Sequence, residues 1–314
     1  MPTGPNARGT ESTRSAAGGG RYAPSPTSDL HIGNLRTAVL AWLFARSTDR
    51  DLFLRVEDLD TDRVRAAGET EARQLADLAA LGLDFDPPLV RQSERLDAYA
   101  AAVAALGDSV YECYCTRREI AEAASAPHAD GFRPYPGTCR DLTDAECAER
   151  RRQRPAALRV RADSAEMTVT DVLHGPTSGV VDDFVLRRGD GAWAYNLAVV
   201  VDDIAMGVDQ VVRADDLLSS APRQAWLTDQ LGGRVPAYAH VPLVVNSAGV
   251  RLAKRDGAVS LADLAASGRD ATWALGWIAR SLNLAGVGEE VTLATLLDRF
   301  DPGALPLAPT VFEA

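Results

Sequence analysis

Apolar side chains at Leu35, Ala38, Val39, Trp42 and Leu43 fall at i, i+3, i+4, i+7 and i+8, which predicts a helix starting near Gly33. The stretch before it, Pro24-Ser25-Pro26-Thr27-Ser28-Asp29-Leu30-His31-Ile32-Gly33-Asn34, reads as strand, tight turn, then helix. Each proline there fixes its own φ and disfavours helix in the residue before it. Residues 52–56 form an unbroken apolar-rich run around Arg55 and predict a buried strand that ends in Glu57-Asp58-Leu59-Asp60. Helical spacing resumes at about 66–81 and 94–106, and the strand–helix–strand–helix alternation predicts a parallel sheet with right-handed crossovers. Farther on, 183–186 and 193–198 read as strands of a hairpin joined through Gly189-Asp190-Gly191. The sheet is expected to resume with strands at 199–203 and 210–216, a helix after Pro222 and a strand at 241–245.

These elements divide the chain. Residues 1–20 have almost no large apolar side chain and are expected to be a disordered tail. Residues 21–257 form an α/β unit with an insertion at about 107–190. Residues 258–314, with Trp273, Trp277, Ile278 and Leu282 at helical spacing, form a small helical appendage.

Composition narrows the class. The 314 residues, 46% hydrophobic and 25% charged, suit a globular protein with ample core. No signal-peptide pattern or apolar run of membrane-spanning length occurs, so a cytoplasmic protein away from membranes is expected. In that compartment Cys113, Cys115, Cys139 and Cys147 are expected to be thiols or metal ligands rather than disulfides. A net charge of −11 argues against nucleic acid held by bulk electrostatics. It leaves room for a local strip, and Arg150, Arg151, Arg152, Arg154, Arg159 and Arg161 follow one another with no acidic residue between them.

The candidate chemistry lies at three places. His31, Gly33 and Asn34 stand where a helix begins, with unpaired N–H groups and partial positive charge, and Gly33 lets a ligand approach the backbone. Cys113 and Cys115, meeting Cys139 across a loop, suit tetrahedral zinc, with His128, Tyr135 and Cys147 all candidates for the fourth ligand. Lys254, in the loop Arg251-Leu252-Ala253-Lys254-Arg255-Asp256-Gly257, is the only lysine among 33 basic residues. A compact, mobile point charge kept where arginine replaces lysine everywhere else points to a phosphate contact.

Taken together, these motifs carry a family resemblance. Pro24 to Asn34 with Arg36-Thr37-Ala38 resembles the HIGH signature of class I aminoacyl-tRNA synthetases in its glutamyl form, and Arg251 to Arg255 resembles the matching KMSKS loop. Similar matches run through 55–63, 195–203 and Val212-Arg213, so the resemblance spans nearly all of 21–257. Asn34 stands where the second histidine of HIGH would be, and Ala253 where a serine usually precedes the loop lysine.

The resemblance implies an α/β, Rossmann-like class I catalytic domain with a zinc-bearing insertion and a small C-terminal helical appendage. It implies activation of L-glutamate by ATP, with Mg²⁺ accompanying the nucleotide. His31 and Lys254 would be catalytic and would bind ATP together with Gly33 and Asn34. Arg21, Tyr22, Ala23, Pro24, Ser25, Glu57, Tyr195 and Arg213 would hold glutamate. One structural zinc would sit on Cys113, Cys115, Tyr135 and Cys139. Only residues 258–314 follow the lysine loop, which leaves no room for an anticodon-binding domain of the usual size. That places the chain, by resemblance, among truncated glutamyl-tRNA synthetase paralogues that put glutamate on the queuosine base in the anticodon arm of tRNA(Asp). Action as a monomer is expected. The alternatives are a truncated synthetase charging an acceptor end, or an inactive paralogue that only binds RNA.

Overall fold

The computed structural model describes residues 18–116, 118–120, 135–252 and 259–313. Among them the expected parallel sheet is present. With strands numbered along the chain, it runs in the order β3 (Asp86–Arg91), β2 (Asp51–Val56), β1 (Gly19–Tyr22), β9 (Val208–Ala214), β10 (Ala237–Val241), β6 (Ala165–Asp171) and β7 (Gly175–Val181). Every neighbouring pair is parallel except the β6–β7 hairpin. The order reverses between β1 and β9, so the C-terminal ends of β2, β1 and β9 open together onto the crevice where such sheets bind ligands.

Helix α1 (Ile32–Arg46) is buried on every side rather than along one stripe. One side contacts β1, β2 and β9. The other meets Leu264, Ile278 and Leu296 of the helices Leu261–Ala266, Ala271–Ser281 and Leu293–Arg299, all in the same hydrophobic core. Arg36, almost wholly buried, links the layers by donating from Nη1 to the Pro242 carbonyl at 2.8 Å and from Nε to Ser281 Oγ at 3.0 Å. The C-terminal residues are therefore a substantial part of the main core and not an appendage, because their helical stripes cover the second face of α1.

Several other expectations are corrected. The tail expected over 1–20 gives way to β1 at Gly19, and residues 1–17 lie outside the described residues. Gly19 is buried under β2, where a Cβ would come within 2.4 Å of the Phe53 ring, so the glycine marks close strand packing. The stretch 199–203 is no strand; it belongs to the helix Tyr195–Ala205, whose Val200 and Val201 share a core with Val160, Leu186 and Leu227. The hairpin through Gly189-Asp190-Gly191 reduces to a tight turn and one bridge, Arg187 to Trp193, before that helix begins. The helix expected at 66–81 is two, Thr61–Ala67 and Thr70–Ala80, divided at Gly68 with φ +62°. Pro242 ends β10 and leaves Val244–Val245 to pair separately with Thr310–Val311.

The insertion expected at 107–190 is shared between two sheets. Strands β4 (Val110–Cys113), β5 (Ala157–Val160) and β8 (Val185–Arg187) make a separate antiparallel sheet, whereas β6 and β7 extend the large one beyond β10. No helix among the described residues is long and apolar enough to cross a membrane.

Candidate active site

A cleft of about 820 Å³ opens at the C-terminal ends of the central strands. All eight residues expected on the glutamate side, Arg21, Tyr22, Ala23, Pro24, Ser25, Glu57, Tyr195 and Arg213, line it, as do His31 and Asn34. Lys254 and the rest of 253–258 lie outside the described residues, as does His128.

His31 is the N-cap of α1. Its Nδ1 accepts from the amides of Gly33 at 3.1 Å and Asn34 at 3.4 Å, while Asn34 Oδ1 accepts from the His31 amide at 3.2 Å. Asn34 thus closes a reciprocal cap, a job its short amide does well. Gly33 turns out to serve the cap too. A side chain there would stand 3.0 Å from the imidazole and 3.3 Å from Val244 Cβ, and Gly33 itself does not line the cleft. Burial, then the nearby Arg251 charge, pushes the His31 pKa down to about 4, so the ring is neutral at pH 7. With Nδ1 accepting, the proton sits on Nε2, which makes that nitrogen a hydrogen-bond donor.

The glutamate side is built from buried arginines and carboxylates. Arg21 donates from Nη1 to the Val212 carbonyl at 3.2 Å and pairs through Nε with Asp203 at 3.4 Å. Fully buried Arg55 donates from Nη1 to Asp203 at 2.6 Å and from Nη2 to Glu57 at 3.2 Å. Burial raises the Glu57 pKa above the ordinary carboxylate range, although Arg55 and Arg21 pull the other way. Asp202 is wholly buried and accepts from Gln92 at 2.9 Å, Arg95 at 2.5 Å and Tyr99 at 2.9 Å. Gln74 holds the approach loop by donating to the Ser25 and Ser28 carbonyls at 3.0 and 2.7 Å. Arg213 donates from Nε to His240 Nε2 at 2.9 Å, from Nη1 to Gln224 at 2.6 Å and from Nη2 to the Leu217 carbonyl at 3.2 Å.

Arg55, Gln74, Asp202, Asp203, Gln224 and His240 escaped assignment from the sequence. One signal was present: two adjacent acids inside an apolar run must be paired if the run is buried. Their partners lie in remote segments and could not be read locally.

The cysteines gather at the end of β4. Sγ atoms of Cys113, Cys115 and Cys139 lie within 4.8 Å of one another, a group that could hold a metal ion. The Tyr135 hydroxyl stands 3.4 Å from Cys113 Sγ and 3.6 Å from Cys115 Sγ, and it accepts from the Cys139 amide at 2.8 Å. Three thiols and a phenol converging at this spacing fit a tetrahedral ion with bonds near 2.3 Å to sulfur. Cys147, on the helix Asp144–Arg151, is not in the group.

The arginine run does not form one strip. Arg159 is buried, donates to the Asp183 carbonyl at 2.6 Å and stacks 3.7 Å over the Tyr135 ring. Arg151, Arg154 and Arg161 face Glu112, Glu119 and Asp141 at 2.8, 3.5 and 3.4 Å, and Arg152 pairs with Glu149.

Residues 19–286 match the family described as tRNA synthetases class I (E and Q), catalytic domain. A glutamyl-Q tRNA(Asp) synthetase of Nocardia farcinica is 59% identical over 297 residues, covering 94% of this chain and 93% of that protein. One from Cutibacterium acnes is 56% identical over 270 residues, covering 86% and 77%. Among solved structures, the glutamate tRNA ligase of Elizabethkingia meningosepticum in complex with its amino acid superposes with a TM-score of 0.78 at 25% identity, covering 94% of this chain and 67% of that one. The chain is thus a ligase-type enzyme that belongs to the class I glutamyl and glutaminyl tRNA synthetases and, within them, to the glutamyl-Q tRNA(Asp) synthetase family.

Proposed function

We propose that this enzyme activates L-glutamate with ATP in the absence of tRNA and then transfers it to the queuosine base of the tRNA(Asp) anticodon. The observation that carries the reading is the cleft in which Arg21, Glu57 and Arg213 converge beside the capped start of α1. Arg21 and Arg213 offer guanidinium forks to two carboxylates, and Glu57 suits an ammonium group. Ser25 and Tyr195 complete the glutamate pocket, with Tyr22, Ala23 and Pro24 forming its wall. The glutamate carboxylate attacks the α-phosphorus of ATP, pyrophosphate leaves, and glutamyl-adenylate forms. Charge grows on phosphate oxygens, so positioning and electrostatic stabilisation dominate. His31 Nε2–H is a ready donor to such an oxygen, Lys254 is the cationic counterpart, and Mg²⁺ travels with the nucleotide. Gly33 and Asn34 support this by fixing the His31 ring.

Zinc on Cys113, Cys115, Tyr135 and Cys139 would be structural, since adenylation needs no metal there. In this reading the residues of the reaction lie within 21–257, the helices after 258 complete the core that holds them, and the chain acts as a monomer.

The test has two steps. Glutamate-dependent pyrophosphate exchange without tRNA is expected, and Lys254→Arg should lower it on the order of 10²–10³. Strict dependence on tRNA would favour a synthetase that charges an acceptor end. Labelled glutamate should then appear only on queuosine-bearing tRNA(Asp) and should survive nuclease removal of the 3′ end. Label released with the terminal adenosine would overturn the acceptor assignment.

A further inference from the structure

Behind Arg213 stands a pair of side chains that the reaction does not itself use. His240 lies on β10 opposite Arg213 on β9, in register across the parallel ladder. It is fully buried. Its Nε2 accepts from Arg213 Nε at 2.9 Å, and its Nδ1 lies 2.6 Å from Asp171 Oδ2. Since arginine has no acceptor, the imidazole must be neutral at Nε2, with its one proton on Nδ1 directed at Asp171. Asp171, at the end of β6, is also buried. Oδ2 also accepts from the His240 amide at 3.0 Å, and Oδ1 accepts from the Leu173 and His174 amides at 2.9 and 3.0 Å. The carboxylate is therefore saturated and cannot turn. On the other side of Arg213, Gln224 accepts from Nη1 and donates to Asn196 Oδ1 at 3.0 Å.

We propose that Asp171 and His240 are positioning residues for glutamate binding: a carboxylate–imidazole relay that locks the Arg213 guanidinium in the orientation that receives a substrate carboxylate. The placement rests on the glutamate reading of the cleft. A guanidinium left to rotate about its last side-chain bonds would offer its fork in many directions. Three fixed acceptors, the imidazole at Nε, the Gln224 amide at Nη1 and the Leu217 carbonyl at Nη2, leave a single orientation, with one N–H on each terminal nitrogen still to offer. Buried Asp171 also supplies negative charge through the ring, which offsets the burial of a cation without placing a carboxylate against Arg213, where it would compete with the substrate. The three residues come from three adjacent strands, β9, β10 and β6. The relay thereby gives the β6–β7 hairpin a task at the active site, although it sits at the sheet edge.

The experiment compares the intact wild-type chain with His240→Phe, His240→Gln and Asp171→Asn by pyrophosphate exchange, with glutamate and ATP varied separately. A parallel calorimetric titration measures glutamate binding to each protein. In His240→Phe the glutamate KM should rise roughly tenfold to a hundredfold, as expected when a hydrogen bond to a charged group is removed, with the ATP KM held and kcat changed much less. His240→Gln restores an acceptor near the Nε2 position and should recover part of that deficit. Asp171→Asn should fall between the two. Nitrogen-15 spectra of the wild type should show a neutral ring protonated at Nδ1. Equal effects on both substrates, no rescue by glutamine, or a ring protonated at Nε2 would overturn the relay. A wild type that neither exchanges nor binds glutamate would instead sink the glutamate reading, while the ring tautomer would still report on the relay. Should His240→Phe fail to fold, His240→Gln alone decides, because a merely structural histidine gives no glutamate-specific change in KM.

Discussion

Two arginine-rich regions of this molecule look alike in composition and behave oppositely. At the cleft, Arg21, Arg55 and Arg213 are buried, and each has several partners drawn from distant segments. In the run from Arg150 to Arg161, four arginines reach single carboxylates near the surface, and Arg152 stays 73% exposed. Burying a cation is costly unless it is both paired and hydrogen-bonded, so the first group exists only because Asp203, Glu57, His240 and Gln224 were placed to receive it. Exposed pairs are worth little and are screened by salt. The contrast separates charge kept for chemistry from charge kept on a surface, and it can be tested from both ends.

The sharpest test removes the cleft side. Arg213→Ala should lower kcat/KM for glutamate on the order of 10³, because it strips the pocket of a fork and leaves the His240 and Gln224 acceptors buried without their donor. Steady-state exchange kinetics measure this, and a decrease below tenfold would put Arg213 with the surface arginines.

Beside the thiol group, Arg159, the one buried member of the run, stacks on Tyr135. Cys139→Ser should lose bound zinc and lower the melting temperature, whereas Cys147→Ser should keep both. Metal analysis with thermal denaturation decides, and the reverse pattern would move the site to Cys147.

How much of this was legible differs between the regions for a physical reason. The start of α1, β2 and β9 are local patterns, legible in the sequence to within one or two residues, whereas the His31 cap and the burial of α1 on every side depend on contacts that no local pattern carries. The run at 199–203 misled because valines favour strands on propensity, yet the core that Val200 and Val201 share with Val160, Leu186 and Leu227 favours the helix. Strand β3 went unnoticed because Pro87 and Pro88 interrupt its pattern, which is tolerable only at a sheet edge. The site residues in the signature motifs were visible as types, but the partners that fix them were not. Arg55 finds Asp203, and Arg213 finds His240 and, through it, Asp171, only once the sheet is assembled. The run from Arg150 read as a strip because its carboxylate partners, Glu112, Glu119 and Asp141, precede it in the chain.

A smaller effect is expected from His31. Its folded pKa, about 4, lies below the ordinary value of 6.5, so the fold prefers the neutral ring. Stability from this group is complete above pH 6.5 and is lost as pH falls through 4, since the unfolded chain binds the proton more readily. His31→Asn keeps a good N-cap without the titration. Urea midpoints measured from pH 7 to pH 4 should fall less steeply in the variant, and parallel curves would show that the cap does not feel the proton.

The smallest effect, and the one that completes the contrast, is on the surface run. Arg151→Gln with Arg152→Gln removes two exposed cations whose partners, Glu112 and Glu149, stay solvated. Folding stability should be nearly unchanged, because neither pair is buried deeply enough for its Coulomb energy to exceed the side-chain entropy of holding it. The glutamate KM and exchange rate should match the wild type, because the two side chains are absent from the cleft lining. Transfer to tRNA is where a difference can appear. If these arginines meet phosphates, the variant should bind tRNA more weakly, and the slope of log affinity against log salt should flatten by nearly one for each phosphate no longer neutralised. An unchanged slope with unchanged transfer would leave the run as a solvated face, and an altered glutamate KM would break the division between the two regions.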